Sequence, residues 1–155
     1  MMEPVKVGFL GAGGIAQAHA YSMDVQKYYY PIVPEIIRES VASARKESRE
    51  KFAQKFGFAK AETVEDFAQN KNIDTVFILG PNKVHFDHFQ LALQMPAVKR
   101  IYHEKPVCSS LEEEEKMKAL LQKAGSSVKI QVGFQYLMTS AVREAILFWK
   151  SGVVG

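Results

Sequence analysis

Short apolar runs rich in β-branched and aromatic residues alternate along this chain with longer stretches of helical period. The clearest runs are Val5 to Leu10, Ile73 to Leu79, Val98 to Glu104 and Val128 to Phe134, each short enough to be a strand buried on both faces. A fifth, less apolar run lies near Ile37 to Ser43, and its boundaries are the least defined. Between the runs, Ser110 with Glu113 predicts a capping box opening a helix that Gly125 can end. Leu111, Met117, Leu120, Leu121 and Ala124 would form its buried side, while the pairs Glu112–Lys116 and Glu114–Lys118 sit one turn apart on its exposed side. Val142, Ala145, Ile146 and Trp149 predict a last helix, with Thr139 or Ser140 as cap and Gly152 as stop. The segment Tyr28-Tyr29-Tyr30-Pro31 reads as a loop or insertion.

Strand and helix in alternation imply an α/β fold of the Rossmann type, a doubly wound and mainly parallel sheet with helices on both faces. Such sheets bind ligands at the carboxyl ends of their strands, around the point where strand order reverses. Four loops therefore matter: Gly11 to Gly14, Ala44 to Lys46, Gly80 to His85 and Glu104 to Val107.

Composition narrows the field further. A 155-residue chain that is 47% hydrophobic can build one compact core, and 20 basic against 17 acidic side chains are too evenly balanced for a nucleic-acid groove. The single cysteine, Cys108, excludes an internal disulfide framework. The apolar start at Val7 to Ala18 is interrupted by four glycines and preceded by Glu3 and Pro4, unlike a secretory leader. No other run is long enough to cross a bilayer, so a cytoplasmic protein without a membrane partner is expected.

The first loop, Gly11-Ala12-Gly13-Gly14-Ile15-Ala16, has the G-x-G-x-x-A form between a strand and a helix. Gly11 allows a tight turn, Gly13 lets backbone approach a pyrophosphate, and Ala16 lets helix pack near strand, leaving the free amides of the helix start to hold an anion. The bland alternative is a glycine-rich turn without a ligand. In the second loop no carboxylate stands where one would hold the ribose 2′-hydroxyl of NAD. Ala44 leaves room there and Arg45 and Lys46 bring positive charge, which favours NADP over NAD unless these residues simply open a solvated helix. In the third, Gly80-Pro81-Asn82 would lie beside the ribose next to nicotinamide, with Asn82 as a helix cap. His85 would be a polar contact near the helix start, and His88 falls on the Val84, Leu91 and Met95 stripe. A metal pair there lacks a third ligand. In the fourth, Glu104-Lys105-Pro106 points charge into the cleft. Moving a hydride at a carbon that bears oxygen also requires a proton to move, and Lys105 is the candidate placed to carry it, unless it is an ordinary exposed lysine. A cis Lys105–Pro106 bond is one way to aim that side chain.

Taken in order, Val7-Gly8-Phe9-Leu10-Gly11-Ala12-Gly13-Gly14-Ile15-Ala16, Phe52-Ala53-Gln54-Lys55-Phe56-Gly57, Ile73-Asp74-Thr75-Val76, Pro81-Asn82 with His85, and Glu104-Lys105-Pro106 followed by Val132-Gly133-Phe134 resemble the N-terminal half of the glucose-fructose oxidoreductase/inositol dehydrogenase (Gfo/Idh/MocA) family. The resemblance implies NAD or NADP as cofactor and a sugar, polyol or related substrate. It also implies Lys105 as the catalytic or substrate-orienting lysine, Glu104 as a contact to the nicotinamide ribose, and Gln135 near the nicotinamide. Gln135-Tyr136-Leu137-Met138 departs from a stretch that in the family often contains arginine and proline. The same resemblance sets residues 1–136 as the dinucleotide-binding domain and 137–155 as a helix leading to an absent substrate domain, which would also carry further acid/base groups and the usual oligomer interface. A chain ending here is expected to bind cofactor and turn over little substrate. Two other readings stay open: a non-catalytic dinucleotide sensor, and a domain for another nucleotide.

Overall fold

The computed structural model describes residues 3–153. Six strands, β1 (Val5–Leu10), β2 (Ile36–Ala42), β3 (Lys60–Glu62), β4 (Thr75–Ile78), β5 (Arg100–His103) and β6 (Lys129–Val132), form one sheet in the order β3-β2-β1-β4-β5-β6. Every neighbouring pair is parallel. Helices α1 (Gly14–Tyr29), α2 (Lys46–Phe56), α3 (Val64–Ala68), α4 (His85–Gln94), α5 (Leu111–Ala124) and α6 (Ser140–Lys150) connect and follow the strands. The five anticipated strands are all present, most of them shorter than their apolar runs, because burial continues past the paired residues: Ile73, Leu79 and Val98 are buried outside the strand limits.

Alternation along the strands sends side chains to two separate cores. Val7, Phe9 and Val41 face Ala16, Ala20, Phe52 and Phe58 on the α1/α2 side. Val76, Ile78 and Ile101 face Phe67, Phe89, Ala92 and Met117 on the other. Burial on both faces is what a parallel sheet demands.

Two local expectations need correction. Tyr28 and Tyr29 close the last turn of α1 rather than forming a loop, and Tyr30 is its C-terminal cap. In α5 only Met117 is fully buried; Leu111 is 81% and Leu121 40% exposed. This helix packs against α4 along one stripe near the β6 edge, so too little surface is available to cover its full apolar face. No residue of α6 is buried, and Val142 is half-buried. The strand β3 was not anticipated. It is a three-residue edge strand of charged and small residues, fixed by Ser40 Oγ donating to Glu62 Oε2 (2.6 Å) and by a Lys60–Glu39 ion pair (3.3 Å) rather than by apolar content.

The α5 cap forms largely as expected. Ser110 Oγ accepts from the Glu113 amide at 3.2 Å, but the Glu113 carboxylate reaches the amide and hydroxyl of Ser109 (2.7 and 2.8 Å), one residue further back than in the standard box. Both helical ion pairs are present, Lys116–Glu112 at 2.6 Å and Lys118–Glu114 at 2.9 Å. Gly125 ends the helix with φ +56°.

Candidate functional site: a crevice at the carboxyl ends of the strands

From β1 the chain moves outward through β2 and β3, then returns to the other side of β1 and moves outward through β4, β5 and β6. Strand order thus reverses between β1 and β4, the place where a doubly wound sheet opens a crevice. Main-chain bonds bring the loops above it into one row. The Gly11 amide donates to Ala42 O (2.8 Å), Leu79 to Leu10 O (2.8 Å), Glu104 to Ile78 O (3.1 Å) and Gly133 to His103 O (2.8 Å). Loops far apart in sequence therefore stand one strand spacing apart.

At the centre of the row, Gly11 has φ +130°, and a Cβ there would lie 2.6 Å from the backbone carbonyl of Leu79. Glycine is required on both counts. Gly13 caps α1 in extended conformation with no side-chain hydrogen bond, and the first turn holds no acidic residue. Side chains built at Gly13 or Gly14 would meet nothing within 4 Å. The start of a sixteen-residue helix thus carries bare amides facing open space. Ala16 is fully buried against the sheet, as close packing of helix on strand requires, while Ala12 is half-buried and Ile15 lies at the surface.

Beyond β2, Ala44 and Arg45 are exposed. Arg45 occupies the cap position of α2 without a side-chain cap bond, and its carbonyl accepts from Ser43 Oγ at 3.2 Å. Glu47, the nearest carboxylate in sequence, pairs with Lys51 at 2.6 Å. A second arginine, Arg49, donates through Nη1 to Ser43 O (3.1 Å), and its buried Nε has no partner. It braces the loop from one helical turn below, a role that sequence spacing alone did not expose.

Beyond β4, Gly80, Pro81 and Asn82 lead into a short 3-10 turn, Asn82–Val84. Asn82 makes no side-chain cap bond; its carbonyl accepts from the His85 amide instead, so its amide side chain remains exposed and free to turn outward. His85 is fully buried and ties two loops together, with Nδ1 2.5 Å from Pro106 O and Nε2 2.9 Å from Gly80 O. Beside it stand His103, in edge contact with His85 at 5.1 Å between ring centroids, and half-buried His88. His103 Nε2 and His88 Nδ1 are buried without hydrogen-bond partners. Burial pushes the His103 imidazole below its ordinary value, and burial, then the neighbouring His85, pushes His88 down to about 4. Among the described residues no cluster of three or more His, Cys, Asp or Glu could hold a metal ion.

Beyond β5, Glu104 and Lys105 part company. Lys105 is exposed and takes part in no ion pair among the described residues, and the Lys105–Pro106 bond is cis. Glu104 is buried. Its Oε1 is 2.8 Å from His19 Nε2 and accepts from Tyr102 OH at 3.3 Å, while its Oε2 accepts from the Lys105 amide at 3.2 Å. Burial, and then the Glu104 carboxylate, pushes the Tyr102 hydroxyl up to about 12. Gly133 closes this pocket: a Cβ there would approach Tyr102 OH to 2.6 Å and the Glu104 carboxylate to 3.1 Å. Gln135, the first residue of the 3-10 turn Gln135–Met138, lies exposed next in the row.

Comparison with known proteins places this architecture. The model of the oxidoreductase family with an NAD-binding Rossmann fold matches residues 5–134, and the chain belongs to that family. Glucose-6-phosphate 3-dehydrogenase of Bacillus subtilis is 31% identical over 137 residues, covering 88% of this chain and 35% of its own length. A crystal structure of an NAD-binding oxidoreductase from Klebsiella pneumoniae superposes with a TM-score of 0.83 at 27% identity, over 96% of this chain and 39% of that one. Levoglucosan dehydrogenase in complex with NADH and levoglucosan does so with a TM-score of 0.81 at 27% identity, over 98% and 40%. The chain thus spans well under half the length of these relatives. Among the described residues no helix is long and apolar enough to cross a membrane.

Proposed function

We propose that this chain binds a nicotinamide dinucleotide across the β1/β4 crevice, NADP in preference to NAD, and that Lys105 carries the proton when the protein exchanges hydride with a sugar or polyol hydroxyl carbon. The observation that supports this most is the uncapped start of α1, whose amides open onto free space beside the Gly11 bend. A diphosphate fits that cradle by charge and by room. Gly11, Ala12, Gly13, Gly14 and Ile15 would hold it. Ala44 and Arg45 would receive the adenosine ribose, Arg45 meeting a 2′-phosphate. Gly80, Pro81, Asn82, Glu104 and Gln135 would line the nicotinamide end, with His85 holding the Gly80 and Pro106 carbonyls in place.

When bound, the nicotinamide supplies the acceptor or donor of hydride. In the alcohol-to-carbonyl direction the carbon loses its C–H bond as hydride, and the hydroxyl proton passes to the neutral amine form of Lys105 Nζ, making the ammonium that returns it in the reverse direction. Residues 137–155 would lead into a second, substrate-recognising domain, a reading supported by the uncovered apolar side chains of α6, among them Leu147 and Trp149. Relatives named for glucose 6-phosphate and levoglucosan favour a sugar-like substrate.

Titration with NADPH and NADH, followed by their own fluorescence, tests the cofactor reading. Arg45→Ala should weaken NADPH by about tenfold, the worth of one lost charge-assisted contact, and leave NADH nearly unchanged. Equal losses for both would remove Arg45 from the 2′-phosphate site.

A further inference from the structure

The part-buried contact between α1 and the end of β5 joins the two segments that the proposed chemistry needs. His19 lies one and a half turns into the helix whose start faces the crevice. Its Nε2 meets Glu104 Oε1 at 2.8 Å, and the other oxygen of the same carboxylate accepts from the Lys105 amide at 3.2 Å. One carboxylate therefore spans from the phosphate-facing helix to the backbone of the lysine. Tyr102 completes the support: its hydroxyl donates to Oε1, and its ring meets that of His19 edge-on at 4.8 Å and stacks on Phe77 at 5.1 Å. With three donors on two oxygens, the Glu104 carboxylate is satisfied within the protein itself.

Resting on the crevice reading above, we propose that His19 is a positioning residue for Lys105: through the Glu104 carboxylate it sets where the lysine's backbone stands relative to the helix that holds the diphosphate. Neutral His19 is then the Nε2–H tautomer, since Glu104 accepts only. A carboxylate released from His19 could turn toward solvent and take the Lys105 amide bond with it. Hydride and proton transfers depend steeply on placement, so a support two residues removed from the substrate can still set the rate.

The test uses this chain, isotopically labelled, with His19→Ala and with His19→Gln, whose side-chain N–H falls near the place of Nε2. In the wild type the long-range 1H–15N spectrum should show a proton on His19 Nε2. Exchange of the Lys105 amide should be about tenfold faster in His19→Ala, the loss of a hydrogen-bond chain to a charged group, and close to wild type in His19→Gln. A bare Nε2, a Lys105 amide indifferent to both variants, or acceleration shared equally by the core amides of β4 and β5 would overturn the proposal, the last because it marks a general loss of stability. A separate NADPH titration of the wild type judges the crevice reading alone: absent binding defeats that reading, whereas the coupling of His19 to Lys105 is read without any dinucleotide present.

Discussion

Two glycines two positions apart have opposite reasons to be glycine. Gly11 is demanded by the fold, since both its φ and the nearby Leu79 carbonyl exclude a side chain. Gly13 has φ −91° and open space around it, so the fold tolerates a side chain there. Gly11→Ala should cost on the order of 2 kcal/mol or more in urea unfolding. Gly13→Val should change stability by no more than about 0.5 kcal/mol, as surface substitutions do, while placing its methyls where a diphosphate would sit. Dinucleotide affinity should then fall by more than about tenfold, the equivalent of 1.4 kcal/mol. If Gly13→Val binds as tightly as wild type, the first loop is only a turn. Much of this scale was legible in sequence, because the glycine pattern and Glu104-Lys105-Pro106 are local in the chain. His19 and Tyr102 were not legible as partners of Glu104. His19 is 85 positions away, and only folding shows that they share a pocket.

Among elements, the packing of α4 on the sheet leaves one ring nitrogen of each of two histidines without a partner. His88 and His103 bury unpaired ring nitrogens on this side, and burial holds both toward the neutral form. A histidine whose folded value lies below its ordinary 6.5 contributes stability that is fully present above that pH. It is lost as pH falls from 6.5 toward about 4 for His88, because the unfolded chain takes up a proton that the folded one refuses. The loss from His88 alone should reach up to about 3 kcal/mol, read as a drop in the urea midpoint between pH 7 and pH 4. In His88→Leu this dependence should flatten; an unchanged pH profile would show that the ring is not held neutral. At the start of α4's neighbour α5, Ser110→Ala should cost about 1 kcal/mol through loss of the cap to the Glu113 amide. Helix starts and long apolar strands were readable because capping chemistry and β-branched runs are written in adjacent residues. The short edge strand β3 was not, for its pairing rests on neighbours supplied by β2, and the exposure of Leu111 depends on how little surface the sheet edge offers α5.

For the molecule as a whole, the order β3-β2-β1-β4-β5-β6 converts five separate stretches of sequence into one crevice. Alternating patterns were enough to indicate a parallel doubly wound sheet, since few topologies join such elements by right-handed crossovers. The same patterns did not reveal how the loops are braced: Arg49 under the second, His85 between the third and fourth, and the Glu104 carboxylate between the fourth and α1. All three tie neighbouring loops together through contacts within the protein itself. Ligand binding should therefore meet a largely preformed surface. The most direct measurement is the map of backbone amide shifts as NADPH is added to the labelled chain. Changes should concentrate at Gly11 to Ile15, Ala44 and Arg45, Gly80 and Asn82, and Glu104 and Lys105, with the largest at the start of α1. Saturable binding that leaves Gly11 to Ile15 unmoved, or no binding by a folded chain, would contradict the assignment of the crevice.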